Sequence, residues 1–262
     1  MSASKIIEKS VEFESGQLSY AIAGAEHPKT LCFIPGWGGN RHLMYDVAQS
    51  FADRYKVIVV EFPGFRDSQL SAPFTIDRVI EALEHILQQE KVTQTTLLGH
   101  SMGGVIALSY AAKNPQMADQ VIGIDSFTYP GIYPKQPDAA VEGFISAIAP
   151  DFKAGLAPII DMSCNQYTSD ESKAQIIETF YSADPDIGLP LLKECLEWDM
   201  LDQLDSYKGP VSAIVAAPSY DEQSFRENCP SRIDIHLIEN SAHFIAQDQP
   251  QRLIEEITRK LS

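Results

Sequence analysis

The chain has 262 residues, with 20 Lys+Arg against 36 Asp+Glu and a formal charge of −16. At roughly 150 residues per domain, that length suits one α/β core with an insertion, and 44% hydrophobic against 21% charged residues excludes a disordered chain. So acidic a surface repels a phosphate backbone, which excludes nucleic acid as an expected partner.

In chain order, residues 1–10 (MSASKIIEKS) contain no apolar stretch long enough for a secretory signal, so the expected compartment is the cytoplasm. Segments 5–13 and 17–23 flank a Ser15-Gly16 turn and predict an edge hairpin. The short apolar runs 31–34 and 57–60 predict strands buried on both faces, with a helix between them. In 75–89, Ile76, Val79, Ile80, Leu83, Ile86 and Leu87 recur at helical spacing, while Glu81, Glu84 and Gln88 fall on the opposite face. The longest uncharged run, 92–112, contains Gly99-His100-Ser101 and Gly103-Gly104. It therefore predicts a strand (95–98), a turn and a helix (105–112), and no membrane span. Residues 121–124 predict the next strand.

The β/α alternation then stops for about 85 residues, 126–210, too long for a structureless loop in a compact domain. Helical patterns at 138–149, 154–162, 172–181 and 189–198 predict an all-helical cap inserted between core segments 1–125 and 211–262. Strands are expected again at 211–216 and 233–238, then a closing amphipathic helix at 250–261. The expected fold class is α/β, with a mostly parallel sheet of about eight strands flanked by helices. Cys32, Cys164, Cys195 and Cys229 lack CxxC or Cys/His metal spacing. Free thiols are expected, and no metal site.

Gly99-His100-Ser101-Met102-Gly103 fits G-x-S-x-G between a predicted strand and a predicted helix. Glycines two residues either side of Ser101 allow a very tight turn, and the following helix N-terminus lends positive potential to a developing negative charge. Ser101 is thus the candidate nucleophile. The absence of GK[ST] excludes a phosphate-binding loop.

With this elbow, three further motifs make the chain resemble the α/β-hydrolase superfamily. Ile34-Pro35-Gly36-Trp37-Gly38-Gly39-Asn40 is similar to its His-Gly-x-Gly-Gly loop, with Pro35 in place of the usual His. Residues 61–68 (EFPGFRDS) are similar to its D-x-P-G-x-G-x-S turn, with Glu61 and Arg66 as departures, and 240–244 (NSAHF) matches the loop after the last strand. The resemblance implies that His243 is the catalytic base and that the main-chain N–H groups of Trp37 and Met102 form the oxyanion hole. Gly38 and Gly39 would let that loop approach closely. His100 fills the variable position of the elbow and is expected to point elsewhere. His27, His42, His85 and His236 sit in no catalytic context.

The carboxylate that orients the histidine has two candidates, Asp125 directly after strand 121–124 and Asp221 after strand 211–216. Many family members carry the acid after the later strand, but Asp221 falls about two residues beyond the expected turn, so Asp125 is chosen. Phe144, Ile145, Ile148, Phe152, Ile159, Ile160, Met162, Phe180, Tyr181, Leu191, Leu192 and Trp198 are expected to pack the cap, some of them roofing an apolar pocket. No basic cluster is visible, although Arg41, Arg66 and Lys135 are individual cationic candidates. The expected activity is a serine hydrolase cleaving a carboxylic ester or thioester of a small, partly apolar molecule, with no cofactor. C–C hydrolysis, lyase or perhydrolase chemistry, or ligand sensing, remains open at this point.

Overall fold

The computed structural model describes residues 5–14, 16–38, 40–62, 64–68, 74–127, 136–228 and 232–262; Gly39, Lys135 and Cys229 lie outside them. Eight strands form one sheet: β1 (Ile7–Phe13), β2 (Gly16–Ala23), β3 (Thr30–Ile34), β4 (Lys56–Val60), β5 (Thr95–His100), β6 (Ala118–Ile124), β7 (Val211–Ala216) and β8 (Ile233–Ile238). They pair in the order β1-β2-β4-β3-β5-β6-β7-β8. β1 and β2 form the antiparallel edge hairpin, β2 meets β4 antiparallel, and every other pairing is parallel. Every residue of β3, β5 and β7 is buried, because helices cover both sheet faces there.

Three helices interleave with the first six strands: α1 (Tyr45–Gln49), α2 (Ile76–Gln89) and α3 (Met102–Lys113). The helix expected between β3 and β4 is only the five residues of α1, entered through a tight 3-10 turn at Arg41–Met44. α2 starts at Thr75, whose hydroxyl accepts from Arg78 N at 3.2 Å, and it buries all six apolar residues of its predicted stripe.

Between β6 and β7 lie α4 (Asp138–Ile148), α5 (Phe152–Ser163), α6 (Asp170–Tyr181), α7 (Pro185–Glu197) and α8 (Met200–Ser206). α8 was not legible in the sequence. It is two turns long and is started by the Asp199 carboxylate, which accepts from Leu201 N at 2.9 Å and Asp202 N at 3.4 Å. α9 (Glu222–Asn228) and α10 (Ile245–Asp248) are likewise too short to show a period, whereas α11 (Pro250–Lys260) is the expected closing helix.

The uncharged run 92–112 holds β5 and α3, as expected. By length and composition alone, the stretch Asp138–Ser163, spanning α4 and α5, is apolar enough to cross a membrane. Side-chain hydrogen bonds tie the helical insertion to the sheet and its loops, among them the following. Trp37 Nε1 donates to Gly188 O (2.9 Å), Asn40 Nδ2 to Thr179 Oγ1 (2.9 Å), Asn165 Nδ2 to Ser241 O (3.1 Å) and Trp198 Nε1 to Ser109 Oγ (2.8 Å).

The described residues of 61–68 explain both departures from the motif. Their far end is tied to β2, with Ser19 N donating to Ser68 Oγ (2.8 Å) and Ser19 Oγ to Asp67 O (2.9 Å). Glu61 reaches inward to accept from Arg41 Nη1 at 2.7 Å, so Arg41 is engaged by a buried carboxyl group. Arg66 stands where the motif has glycine, and its φ of +44° shows why glycine suits that position. A left-handed conformation costs a side-chain-bearing residue about 1–2 kcal/mol, against the ~0.5–1 kcal/mol of extra backbone entropy that glycine loses on folding. The Arg66–Glu178 ion pair, 3.5 Å long with Glu178 exposed, offsets little of this. Arg66→Gly is therefore expected to raise the urea midpoint at unchanged m-value, by the equivalent of about 0.5–1 kcal/mol. An unchanged or lower midpoint contradicts the strain account.

Candidate active site

Ser101 sits between β5 and α3 with φ +53° and ψ −121°, a strained conformation that the surrounding main chain enforces. A Cβ on Gly99 would lie 2.2 Å from Gly103 O, and one on Gly103 would lie 2.2 Å from Ile34 O, so neither position admits a side chain. The Ser101 N–H donates to Ile124 O (3.0 Å), and its carbonyl accepts from Ser126 Oγ (2.9 Å). These contacts lock the elbow against β6. Met102 is the buried first residue of α3, at the positive end of the helix dipole.

Asp125 follows β6 directly, also with positive φ (+43°), and its N–H donates to Ile214 O at 2.7 Å. Its buried carboxylate accepts at Oδ1 from Ala216 N (2.9 Å), and at Oδ2 from Ser219 Oγ (3.3 Å) and His243 Nδ1 (2.6 Å). A carboxylate can only accept there, so the His243 Nδ1 carries the proton and Nε2 presents its lone pair. The loop bearing His243 is held from below by Asp248 Oδ2, which accepts from Ala242 N at 2.6 Å, and from the side by Asn165.

The competing carboxylate, Asp221, is exposed at the start of α9, where it accepts from Ser224 N at 3.0 Å as a helix cap. Ser101, His243 and Asp125 are thus brought together, and Asp221 is not.

His100 does not point away, contrary to the expectation from its variable position. Its ring lies 4.8 Å from that of His243 and 5.1 Å from that of Phe244, and its Nε2 is 2.9 Å from the His243 carbonyl. Burial holds its pKa far below the usual imidazole value, at about 3, and the neighbouring His243 pushes the same way. The His100 ring is therefore neutral at pH 7. Nothing in the sequence signals a contact between residues 143 positions apart.

Ser101, His100 and His243 open into a cavity of about 320 Å³ walled by Gly36, Trp37, Ser219 and Phe244 from the core and by Phe144, Ile159, Met162, Phe180 and Leu192 from the helical insertion. Ser163 and Leu196 also line it, and neither carries a sequence signal for that place. Ile148, Ile160, Leu191 and Trp198 instead pack in the core. The Trp37 indole is fixed by Gly188 O and by the rings of Phe152 (5.9 Å) and Phe180 (5.7 Å). A larger polar cleft of about 490 Å³ beside Asn40, His42, Arg66, Glu178 and Gln247 is lined by none of Ser101, His243 and Asp125. Arg41 and Arg66 do not line the apolar cavity.

A family profile for the alpha/beta hydrolase fold matches residues 29–158. The pimeloyl-[acyl-carrier protein] methyl ester esterase of Aeromonas hydrophila is 25% identical over 246 residues, covering 86% of this chain and 92% of that protein. Among solved structures, a bromoperoxidase from Bacillus anthracis superposes with a TM-score of 0.81 at 19% identity, covering 98% of this chain and 99% of that one. A thermophilic esterase from Thermogutta terrifontis superposes at 0.79 with 20% identity, covering 98% of both chains. The chain belongs to the α/β-hydrolase superfamily.

Proposed function

We propose that Ser101, His243 and Asp125 form a catalytic triad that cleaves a carboxylic ester through an acyl-enzyme, under a cap formed by residues 126–210. The enzyme is an ester-cleaving α/β hydrolase, a reaction class it has in common with the relative named for a methyl ester. The observation that carries the triad is the 2.6 Å contact of the buried Asp125 carboxylate with Nδ1 of His243, whose ring lines the same cavity as Ser101.

In the first half-reaction, Ser101 Oγ attacks the ester carbonyl while His243 Nε2 takes its proton. The oxyanion is met by the main-chain N–H groups of Trp37 and Met102. His243 then passes the proton to the departing alkoxide, leaving an alcohol and an acyl-serine. In the second half, His243 deprotonates water, which attacks the acyl carbon and releases a carboxylic acid and free Ser101. Asp125 keeps accepting from Nδ1 and stabilises the transient imidazolium.

No Lys or Arg lines the cavity among the described residues, and its walls are mostly aromatic and aliphatic. An uncharged, apolar group of small to medium size is the fitting occupant.

A fluorophosphonate probe is expected to label wild-type Ser101 stoichiometrically and to abolish turnover of p-nitrophenyl esters. Ser101→Ala is expected to lose both labelling and turnover. Folded wild-type enzyme whose Ser101 stays unlabelled contradicts the proposal.

A further inference from the structure

We infer that His100 is a positioning residue for the triad: its ring N–H holds the main chain of His243 and so fixes the base relative to the nucleophile one residue away. The inference rests on the acyl-enzyme reading above and adds a group that the G-x-S-x-G pattern leaves unspecified.

The hydrogen-bond chemistry is one-directional. The His243 carbonyl can only accept, so the His100 Nε2, 2.9 Å away, is the protonated nitrogen and the donor. The ring being neutral, Nδ1 then carries no proton. Nδ1 faces Gly36, where a Cβ would lie only 2.9 Å from it, with Ser101 Cβ at 3.2 Å from the same point. One buried imidazole therefore touches three segments at once: the elbow it belongs to, the loop after β3 that carries Trp37, and the loop after β8 that carries His243. The rings of His243 and Phe244 leave it no freedom to turn away.

That link matters because His243 must serve both Ser101 and, later, water, and a misplacement of about 1 Å can cost about 100-fold in rate. Asp125 fixes the ring of His243 from the Nδ1 side but does not touch its main chain. His100 supplies the main-chain restraint, and it does so from the residue adjacent to the nucleophile, so displacement of one loop carries the other with it. A charged donor in the same place would add a like charge 4.8 Å from the imidazolium formed in each half-reaction. Of the titratable groups around His100, His243 is in ring contact and Asp125 lies beyond it; Gly36 and Phe244 contribute no charge.

The experiment compares wild type, His100→Gln, His100→Leu and His100→Met on p-nitrophenyl butyrate, with the rate of fluorophosphonate labelling measured alongside. Gln offers an amide N–H at about the reach of Nε2, whereas Leu and Met fill the space without a donor. Expected is a fall in kcat of about 10- to 100-fold in His100→Leu and His100→Met, with KM within about twofold and labelling slowed in parallel. His100→Gln is expected to stay within about threefold of wild type in all three. Wild-type turnover in either apolar variant overturns the inference, as does a loss confined to KM or an equal loss in His100→Gln. If wild-type Ser101 itself fails to label, the acyl-enzyme reading fails instead, so the two failures are distinct. His100→Met keeps the comparison open if His100→Leu does not fold.

Discussion

Asp125→Asn is expected to lower kcat on p-nitrophenyl esters by about 10⁴, while Asp221→Asn leaves it within about twofold. The carboxylate of Asp125 accepts from His243 Nδ1 at 2.6 Å, which keeps the proton on Nδ1 and the lone pair on Nε2. Ala216 N fixes Oδ1 as an acceptor, so an asparagine would keep its carbonyl oxygen there and turn its NH₂ group toward His243. An NH₂ group cannot accept, so the ring would move its proton to Nε2 and the base toward Ser101 would be lost. The negative charge that stabilises the imidazolium would be lost with it. Substrate binding does not involve this buried group, so KM is expected to change little. At position 221 the side chain caps α9 in solvent, and Asn caps as well as Asp does. Equal activity of Asp125→Asn and wild type, or a loss seen only in Asp221→Asn, would remove Asp125 from the triad. Folding of both variants is checked by their unfolding midpoints.

How far such a site can be read from sequence depends on whether its constraints are local. The elbow is legible because Gly99 and Gly103 are required by contacts within a few residues and with the neighbouring strand β3, and the pattern strand-G-x-S-x-G-helix records all of that. The alternation of buried runs gave β3, β5 and β7 for the same reason, since strands covered on both faces carry continuous apolar sequence. The choice between Asp125 and Asp221 is of another kind. Both follow a strand, and what separates them is the Ala216 amide and a positive φ at Asp125, which exist only once β6 and β7 are paired. His100 is less legible still, because its partner is a carbonyl, which every residue possesses. Arg41 belongs to the same class: a lone arginine after the Trp37 loop reads as a candidate for binding substrate, yet in the fold it is used by Glu61, Glu8 and Asp67.

That buried cluster makes the strongest stability prediction. The Glu61 side chain is 0% exposed and that of Arg41 5%, 2.7 Å apart, with Arg41 Nε also reaching Tyr45 OH at 2.9 Å. Burial pushes the Glu61 carboxyl up from 4.5 to about 8, with the Arg41 charge and hydrogen bond opposing it, and its Oε1 has no hydrogen-bond partner among the described residues. Between those two values the folded chain holds a proton that the unfolded chain has released, so the Glu61 contribution to stability declines as pH rises from 4.5 to 8. In the wild type the decline ends near pH 8, where Arg41 lets Glu61 ionise in place.

In Arg41→Met that compensation is gone, the carboxyl titrates higher still, and the decline continues beyond pH 8 at about 1.4 kcal/mol per pH unit. At pH 6.5 the variant therefore loses only the hydrogen bonds of Arg41, about 1–3 kcal/mol. Above pH 8 the loss grows toward about 3–5 kcal/mol, as expected for a buried charge without its partner. The double variant Arg41→Met/Glu61→Gln carries no group that ionises at this position, so the alkaline part of the loss should vanish from it. Urea unfolding of wild type, single and double variants at pH 6.5 and 9 measures all of these terms. A penalty for Arg41→Met that is independent of pH, or larger at pH 6.5 than at pH 9, means that Glu61 is already ionised at neutral pH and that the pair is held together by charge alone.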